Sequence, residues 1–206
     1  MHDQPTLPGR PRASTRSAIS ATALRLFSTH GFASTTVEQI ATAAGISRST
    51  FFNYFSSKAE TIWNCQEHQL AALETDLATA DDGDPFEIAT RAVVGVASDV
   101  GPVAAEPTRS YGALIASSPT LALESATWPA RRAVLVGRYI ARRLGLSDDD
   151  LLAQSYAHAL NGAISAAAIN FGNSRGRRLS DILAESTTPV QEGFSNAWRT
   201  AHPIGV

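Results

Sequence analysis

The sequence predicts an all-α protein in two parts, an N-terminal three-helix domain of helix-turn-helix type and a larger helical body. Three observations carry that expectation. Apolar residues recur at helical spacing along most of the chain, with few β-branched runs, so no strand is needed anywhere. Two short helical segments near the N-terminus are joined by one tight turn at Gly45. A basic opening precedes an acidic remainder: residues 1–58 balance at +4 and residues 59–206 at −6. With 206 residues and 44% apolar content, the chain is long enough to bury a real core.

Residues 1–13 contain Pro5, Pro8, Gly9 and Pro11 and read as a flexible basic arm carrying Arg10 and Arg12. A first helix is expected from about Thr15 to His30, with Ile19, Ala23, Leu26 and Phe27 on one stripe and Gly31 ending it. Thr35 with Glu38, or Thr36 with Gln39, makes a capping box, so a second helix starts there and stops at Gly45. Ser47 is an N-cap, and Ile46 with Phe51 forms a hydrophobic staple, which predicts a third helix over Arg48–Tyr54. The first domain is therefore 14–58 and the body 59–206.

In the body, Ser57 caps a long helix to about Ala80, closed by the polar break at 81–84. Asp84 and Pro85 are an N-cap and N1 pair, starting a helix with Phe86, Ala89, Val93, Val96 and Val100 on one face. Segments follow at 107–117 and 120–144, where Pro129 either kinks the second or starts it afresh. Asp148, Asp149 and Asp150 open a helix to about Phe171. A basic loop over 173–178 precedes a last segment to about Ala201, one helix or two depending on Pro189.

Several function classes are disfavoured. No run of eighteen apolar residues and no export signal stands in the sequence, so a cytoplasmic protein is expected. The single Cys65 excludes an internal disulfide framework, and no metal or cofactor site is expected. There is no G-x-S-x-G, HExxH or phosphate loop, and the five histidines lack ligand spacing; the nearest approach to a nucleophile pair is Cys65 beside His68. An enzyme is therefore not expected. A nucleoid-type DNA binder without a ligand is the other alternative to a specific regulator.

The stretch from about Ile19 to Ile62 resembles the DNA-binding domain of the tetracycline-repressor (TetR) family. Residues 24–60 read LRLFSTHGFASTTVEQIATAAGISRSTFFNYFSSKAE, with G-F-x-x-T-T-V, I-A-x-x-A-G-I-S and F-N-Y-F-x-S-K in the family's order. The resemblance implies three N-terminal helices, a linking fourth, and a regulatory body that dimerises through its last two helices, without catalytic activity. It implies a homodimeric repressor on double-stranded DNA at a palindromic operator, released by a small apolar or amphipathic ligand.

On that reading Arg48, Ser49, Thr50 and Asn53 lie on the helix that enters the major groove. Arg48 suits a guanine edge and Thr50 a thymine methyl. Tyr54 and Lys58 match phosphate contacts, Arg16 joins the DNA-facing set, and Thr35 and Thr36 form a phosphate clamp at a helix start. Phe52 stands where the family usually has Tyr, which removes one hydroxyl contact. Arg10 and Arg12 either enter the minor groove or make no contact.

Candidate ligand-binding residues in the body are Tyr111, Trp128, His158, Asn161, Asn170 and Phe171; His158 and Asn161 either meet ligand or are satisfied within the core or seam. The small residues Ala159, Gly162, Ala163 and Ala166, with Phe194 and Trp198, are the candidate dimer seam, or else filler in a buried helix. Residues 131–171 are similar to regulators that respond to acyl-coenzyme A, the mycofactocin-system type among them. Arg131, Arg132, Arg138, Arg142 and Arg143 there either pair with coenzyme phosphates or balance nearby acids on an exposed face.

Overall fold

The computed structural model describes residues 16–80, 82–98, 112–174 and 176–202. The arm with Arg10 and Arg12, and the candidate ligand residue Tyr111, lie outside them. The chain divides into two compact units, through Cys65 and from Gln66. Among the described residues the ordered elements are all helices: α1 Arg16–His30, α2 Val37–Ala43, α3 Arg48–Tyr54, α4 Glu60–Ala78, α5 Pro85–Ser98, α6 Pro119–Ser125, α7 Thr127–Leu144, α8 Leu151–Asn173 and α9 Leu179–Ala201.

In the first unit, Ile19, Ala23 and Phe27 of α1 are buried with Ile40, Ala41, Phe51, Phe55 and Ile62. Gly31 takes the left-handed conformation at φ 82° and closes α1. Of the two possible capping boxes, Thr36–Gln39 forms: Gln39 N donates to Thr36 Oγ1 at 3.2 Å, and Thr36 N donates to Gln39 Oε1 at 2.8 Å. Helix α2 ends in a Schellman turn, with Ile46 N on Ala41 O at 3.0 Å and Gly45 N on Thr42 O at 3.1 Å. Gly45 sits at φ 69°. Two residues later Ser47 caps α3 by accepting from Thr50 N at 3.0 Å. The turn between the two helices is thus built almost wholly from backbone bonds.

In the second unit α8 packs against α7 and α9, and α5 packs against the same two helices. Phe86, Tyr156 and Phe194 meet at the centre, with ring centroids 4.9–6.0 Å apart. Tyr156 is fully buried, and its hydroxyl donates to Phe86 O at 2.6 Å and lies 2.7 Å from Thr90 Oγ1. Burial pushes its pKa far above the ordinary tyrosine range. Asp84 caps α5 through Phe86 N at 2.9 Å, and Asp150 caps α8 through Leu152 N at 2.8 Å. Pro129 falls in the first turn of α7, where its missing N–H costs nothing; the expected 120–144 segment is therefore two helices separated at Ala126. Pro189 lies inside α9, which continues through it as one helix.

Candidate nucleic-acid interface and regulatory cavity

Helix α3 buries only Phe51. Its outer face presents Arg48, Ser49, Phe52 and Asn53, all exposed, with Thr50 and Tyr54 half-buried at the edges. The reason is the seven-residue length: one apolar side chain faces inward, and the exposed positions at 48, 49, 52 and 53 share an arc of less than half the helix. Phe52 is 44% exposed, an aromatic ring set edge-on against Phe51 at 5.5 Å between centroids and otherwise turned towards solvent.

Arg48 is not alone on this face. Its Nε lies 2.6 Å from Glu38 Oε1 of α2, and its guanidinium stands 5.2 Å from the centroid of Phe52. Both partners of the ion pair are well exposed, so the contact contributes little stability, about 0–1 kcal/mol, and is readily exchanged for an acceptor on a ligand. Glu38 was not among the sequence-derived site residues. The signal for it was the α2–α3 packing, which spacing alone does not reveal.

Three of the expected DNA contacts make hydrogen bonds within the unit. Lys58 Nζ donates to Phe32 O at 2.6 Å, Thr35 O at 2.7 Å and Ala33 O at 3.3 Å, and sits 4.5 Å from the Phe32 ring. The ammonium has as many carbonyl partners in the turn between α1 and α2 as it has protons, and so holds that turn. Arg16 donates Nε to Asn64 Oδ1 at 3.1 Å and Nη1 to Tyr54 O at 2.7 Å, and pairs with Glu60; its guanidinium is 4.6 Å from the Phe55 ring. It ties α1 to the end of α3 and the start of α4. Thr35 is buried, with its hydroxyl donating to Gly31 O at 2.8 Å. That leaves Thr36, exposed beside the first free amides of α2, as the side chain available to a phosphate there.

Glu60 accepts from Ser56 N at 2.6 Å and Ser56 Oγ at 2.7 Å. Burial acts to raise its pKa, but the Ser56 bonds and Arg16 outweigh it and hold the carboxyl below its ordinary range.

In the second unit the candidate ligand residues separate. His158 is exposed on α8, whereas Asn161 is 8% exposed and faces α7. The i, i+3 spacing thus does not bring them to one site, because the boundary between the solvent face and the α7 contact runs between them. Phe171 is core, and Asn170 is exposed with its Oδ1 accepting from Ser174 Oγ at 2.9 Å. Trp128 and Arg132 line a small cavity with Gln66, Gln69, Leu70, Leu73, Val96 and Ala97. A larger groove of about 380 Å³ runs along Glu67, Leu70, Ala71, Glu74, Arg131, Val134 and Leu135.

The small candidate seam residues lie on the outer side of α8, while Phe194 and Trp198 of α9 are partly buried against the core. Gly162 and Ala166 are exposed, and Ala159 and Ala163 are partly covered. Phe194 turns inward onto Phe86 and Tyr156, yet it also lines an apolar groove of about 260 Å³ with Leu152, Ala159, Pro189, Val190, Gly193 and Ala197. Trp198 stacks on His202, centroids 3.7 Å apart. Among the described residues no helix is long and apolar enough to cross a membrane.

Comparison with known proteins places this architecture. The family model described as bacterial regulatory proteins, tetR family, matches residues 19–61, and the MftR C-terminal domain model matches residues 83–195. The chain is 33% identical over 159 residues to the putative mycofactocin biosynthesis transcriptional regulator MftR of Mycobacterium tuberculosis (strain ATCC 25618 / H37Rv), covering 77% of this chain and 80% of that protein. Among solved structures, Thermus thermophilus FadR, a TetR-family transcriptional repressor in complex with lauroyl-CoA, aligns with TM-score 0.57 at 24% identity over 86% of this chain and 94% of that one. SmeT, the repressor of the Stenotrophomonas maltophilia multidrug efflux pump SmeDEF, aligns with TM-score 0.64 at 18% identity, covering 88% and 90%. These structural likenesses show the fold. The family binds DNA and small-molecule ligands, acts as dimers and is not enzymatic. The capped pair α2–α3, the helical body and both matched models lead to one conclusion: the chain belongs to the TetR family of bacterial helix-turn-helix transcriptional regulators.

Proposed function

We propose that the chain is a homodimeric cytoplasmic repressor that binds a palindromic operator and leaves it when an amphipathic small molecule occupies the second unit. The observation that carries the reading is the outer face of α3. Arg48, Ser49, Phe52 and Asn53 are side chains suited to base edges, thymine methyls and phosphates, on an exposed helix face that the width of a major groove admits. Arg48 reads a guanine after exchanging Glu38 for it. Thr36 and the α2 amides take a phosphate, and Tyr54 offers its hydroxyl to another.

Dimerisation is assigned to the outer faces of α8 and α9. The small side chains at Ala159, Gly162, Ala163 and Ala166 permit close helix approach, and the apolar groove at Phe194 gives the partner a place to bury surface. A two-fold seam would set two copies of α3 about one turn of DNA apart, which a palindrome matches. The ligand reading is supported by relatives: the FadR structure holds lauroyl-CoA, and an acyl-coenzyme A is one ligand of the right character for this chain. Cytoplasmic residence follows from work on chromosomal DNA.

The test is a mobility-shift and footprinting experiment on DNA flanking the protein's own gene, with and without lauroyl-CoA. A protected palindrome that is released by the thioester supports the reading. Binding that ignores sequence and tracks salt alone would instead mark a nucleoid-type protein.

A further inference from the structure

The arginines of α7 have different surroundings. Arg131 meets Glu67 at 3.0 Å, Arg138 meets Asp148 at 3.6 Å and Arg143 meets Asp82 at 3.8 Å, while Arg142 is exposed with its guanidinium 6.0 Å from the Tyr139 ring. Arg132 is the exception. It is largely withdrawn from water, and burial pushes its pKa down. Among the described residues no carboxylate lies within ion-pair distance of it.

Among the described residues its one hydrogen-bond partner is itself held in place. Arg132 Nε donates to Asn161 Oδ1 at 2.6 Å, and Asn161 Nδ2 donates in turn to Pro129 O at 2.7 Å. Asn161 therefore sets the plane of the guanidinium, while no described residue accepts from Nη1 or Nη2. A desolvated cation without a counter-charge is costly to keep, and its planar fork matches the paired oxygens of an acid group. The walls around it are mainly apolar: Leu70, Leu73, Val96, Ala97 and the Trp128 ring.

We propose that Arg132 anchors the anionic head group of a mainly apolar regulatory ligand, with Asn161 as the residue that positions it. This deepens the ligand-release reading above and rests on it for its regulatory meaning. The ligand class is an amphiphilic anion, its acid oxygens on the guanidinium fork and its apolar body along Leu70 and its neighbours. The cavity measures about 30 Å³, room for roughly one water, so an occupant must displace side chains. Leu70 lines both this cavity and the 380 Å³ groove along α4 and α7, and is the side chain whose movement joins the two. Ligand affinity would in this way select a second conformation of the helices around it.

The experiment is calorimetric titration of the full-length protein with laurate, dodecanol and lauroyl-CoA, in wild type, Arg132→Lys, Arg132→Met and Asn161→Asp, each checked for helicity by circular dichroism. Wild type should prefer laurate or lauroyl-CoA to dodecanol by about tenfold or more. Arg132→Met should remove that preference while dodecanol binding stays. Asn161→Asp supplies an internal counter-ion and should weaken the anions by a similar factor with the charge of Arg132 still present. Preference for laurate assigns a free acid, and preference for lauroyl-CoA assigns the phosphates of the coenzyme. Equal binding of dodecanol and the anions by wild type, no saturable binding of any of them, or an undiminished preference in both Arg132→Met and Asn161→Asp overturns the proposal. If Arg132→Met fails to fold, Asn161→Asp with Arg132→Lys decides alone. An anion that binds through Arg132 yet leaves DNA bound would refute release while leaving the anchor standing.

Discussion

Lys58 and Arg48 are both cations of the first unit, and their surroundings give them opposite roles. The Lys58 ammonium is enclosed by three carbonyls of the α1–α2 turn, whereas the Arg48 guanidinium stands in solvent beside an easily exchanged carboxylate. Lys58→Ala should therefore lower the stability of the helix-turn-helix unit by about 1–3 kcal/mol, read from thermal unfolding by circular dichroism. The salt slope of DNA binding, measured where the variant is still folded, should not change. A slope reduced by about one unit with stability intact would restore the phosphate role. Glu60 gives a pH dependence. Its carboxyl titrates below the ordinary range, so it contributes stability that is complete above the unfolded-state pKa and lost as pH falls through the lower folded-state value. Glu60→Gln should melt lower than wild type at pH 7, and the gap should close as pH drops below about 4. A gap that is constant with pH would mean the carboxylate's charge is irrelevant. Sequence alone could place these side chains on helix faces. It could not show that Lys58 and Arg16 point back to the protein's own carbonyls and carboxylates, because those partners lie 23 to 48 residues away.

Local chemistry made the helices legible. The caps at Thr36, Ser47, Asp84 and Asp150 all act through side-chain bonds to nearby amides, and such short-range signals survive in a bare sequence. The two prolines were ambiguous for the same reason. Whether Pro129 starts a helix or Pro189 is carried within one depends on packing from other elements. Gly45 shows what the turn itself requires. A side chain there would meet nothing within 4 Å, so Gly45→Ala carries only the strain of a left-handed backbone. We expect about 1 kcal/mol of destabilisation in denaturant unfolding. A neutral result would mean that the turn relaxes to another conformation, and α3 would then not be fixed against α2.

At the scale of the whole molecule, the second unit has a packed interior and a different outer surface on α8 and α9. Its interior joins α5, α8 and α9 through Phe86, Tyr156 and Phe194, and its outer α8–α9 side carries small residues and an apolar groove. The surroundings of the candidate ligand residues were the least legible part of the chain. His158 and Asn161 share a spacing but not an environment, and Arg132 looked like one cation in a charged run. Its phase offered the available clue, since it stands one turn before the buried Val136. A Cβ at Gly162 meets nothing within 4 Å in one protomer, so Gly162→Leu should leave helicity intact while shifting the sedimentation coefficient from dimer to monomer. A variant that remains dimeric would move the seam elsewhere. The central claim is that α3 reads duplex sequence through its exposed face, and selection from a randomised duplex library tests it most directly, with wild type and Arg48→Ala run in parallel. The account predicts that wild type enriches one two-fold-symmetric site and that Arg48→Ala loses preference at one base pair per half-site, at a cost of about 1–3 kcal/mol. Enrichment of no sequence by wild type, or an identical site and affinity for Arg48→Ala, would contradict it.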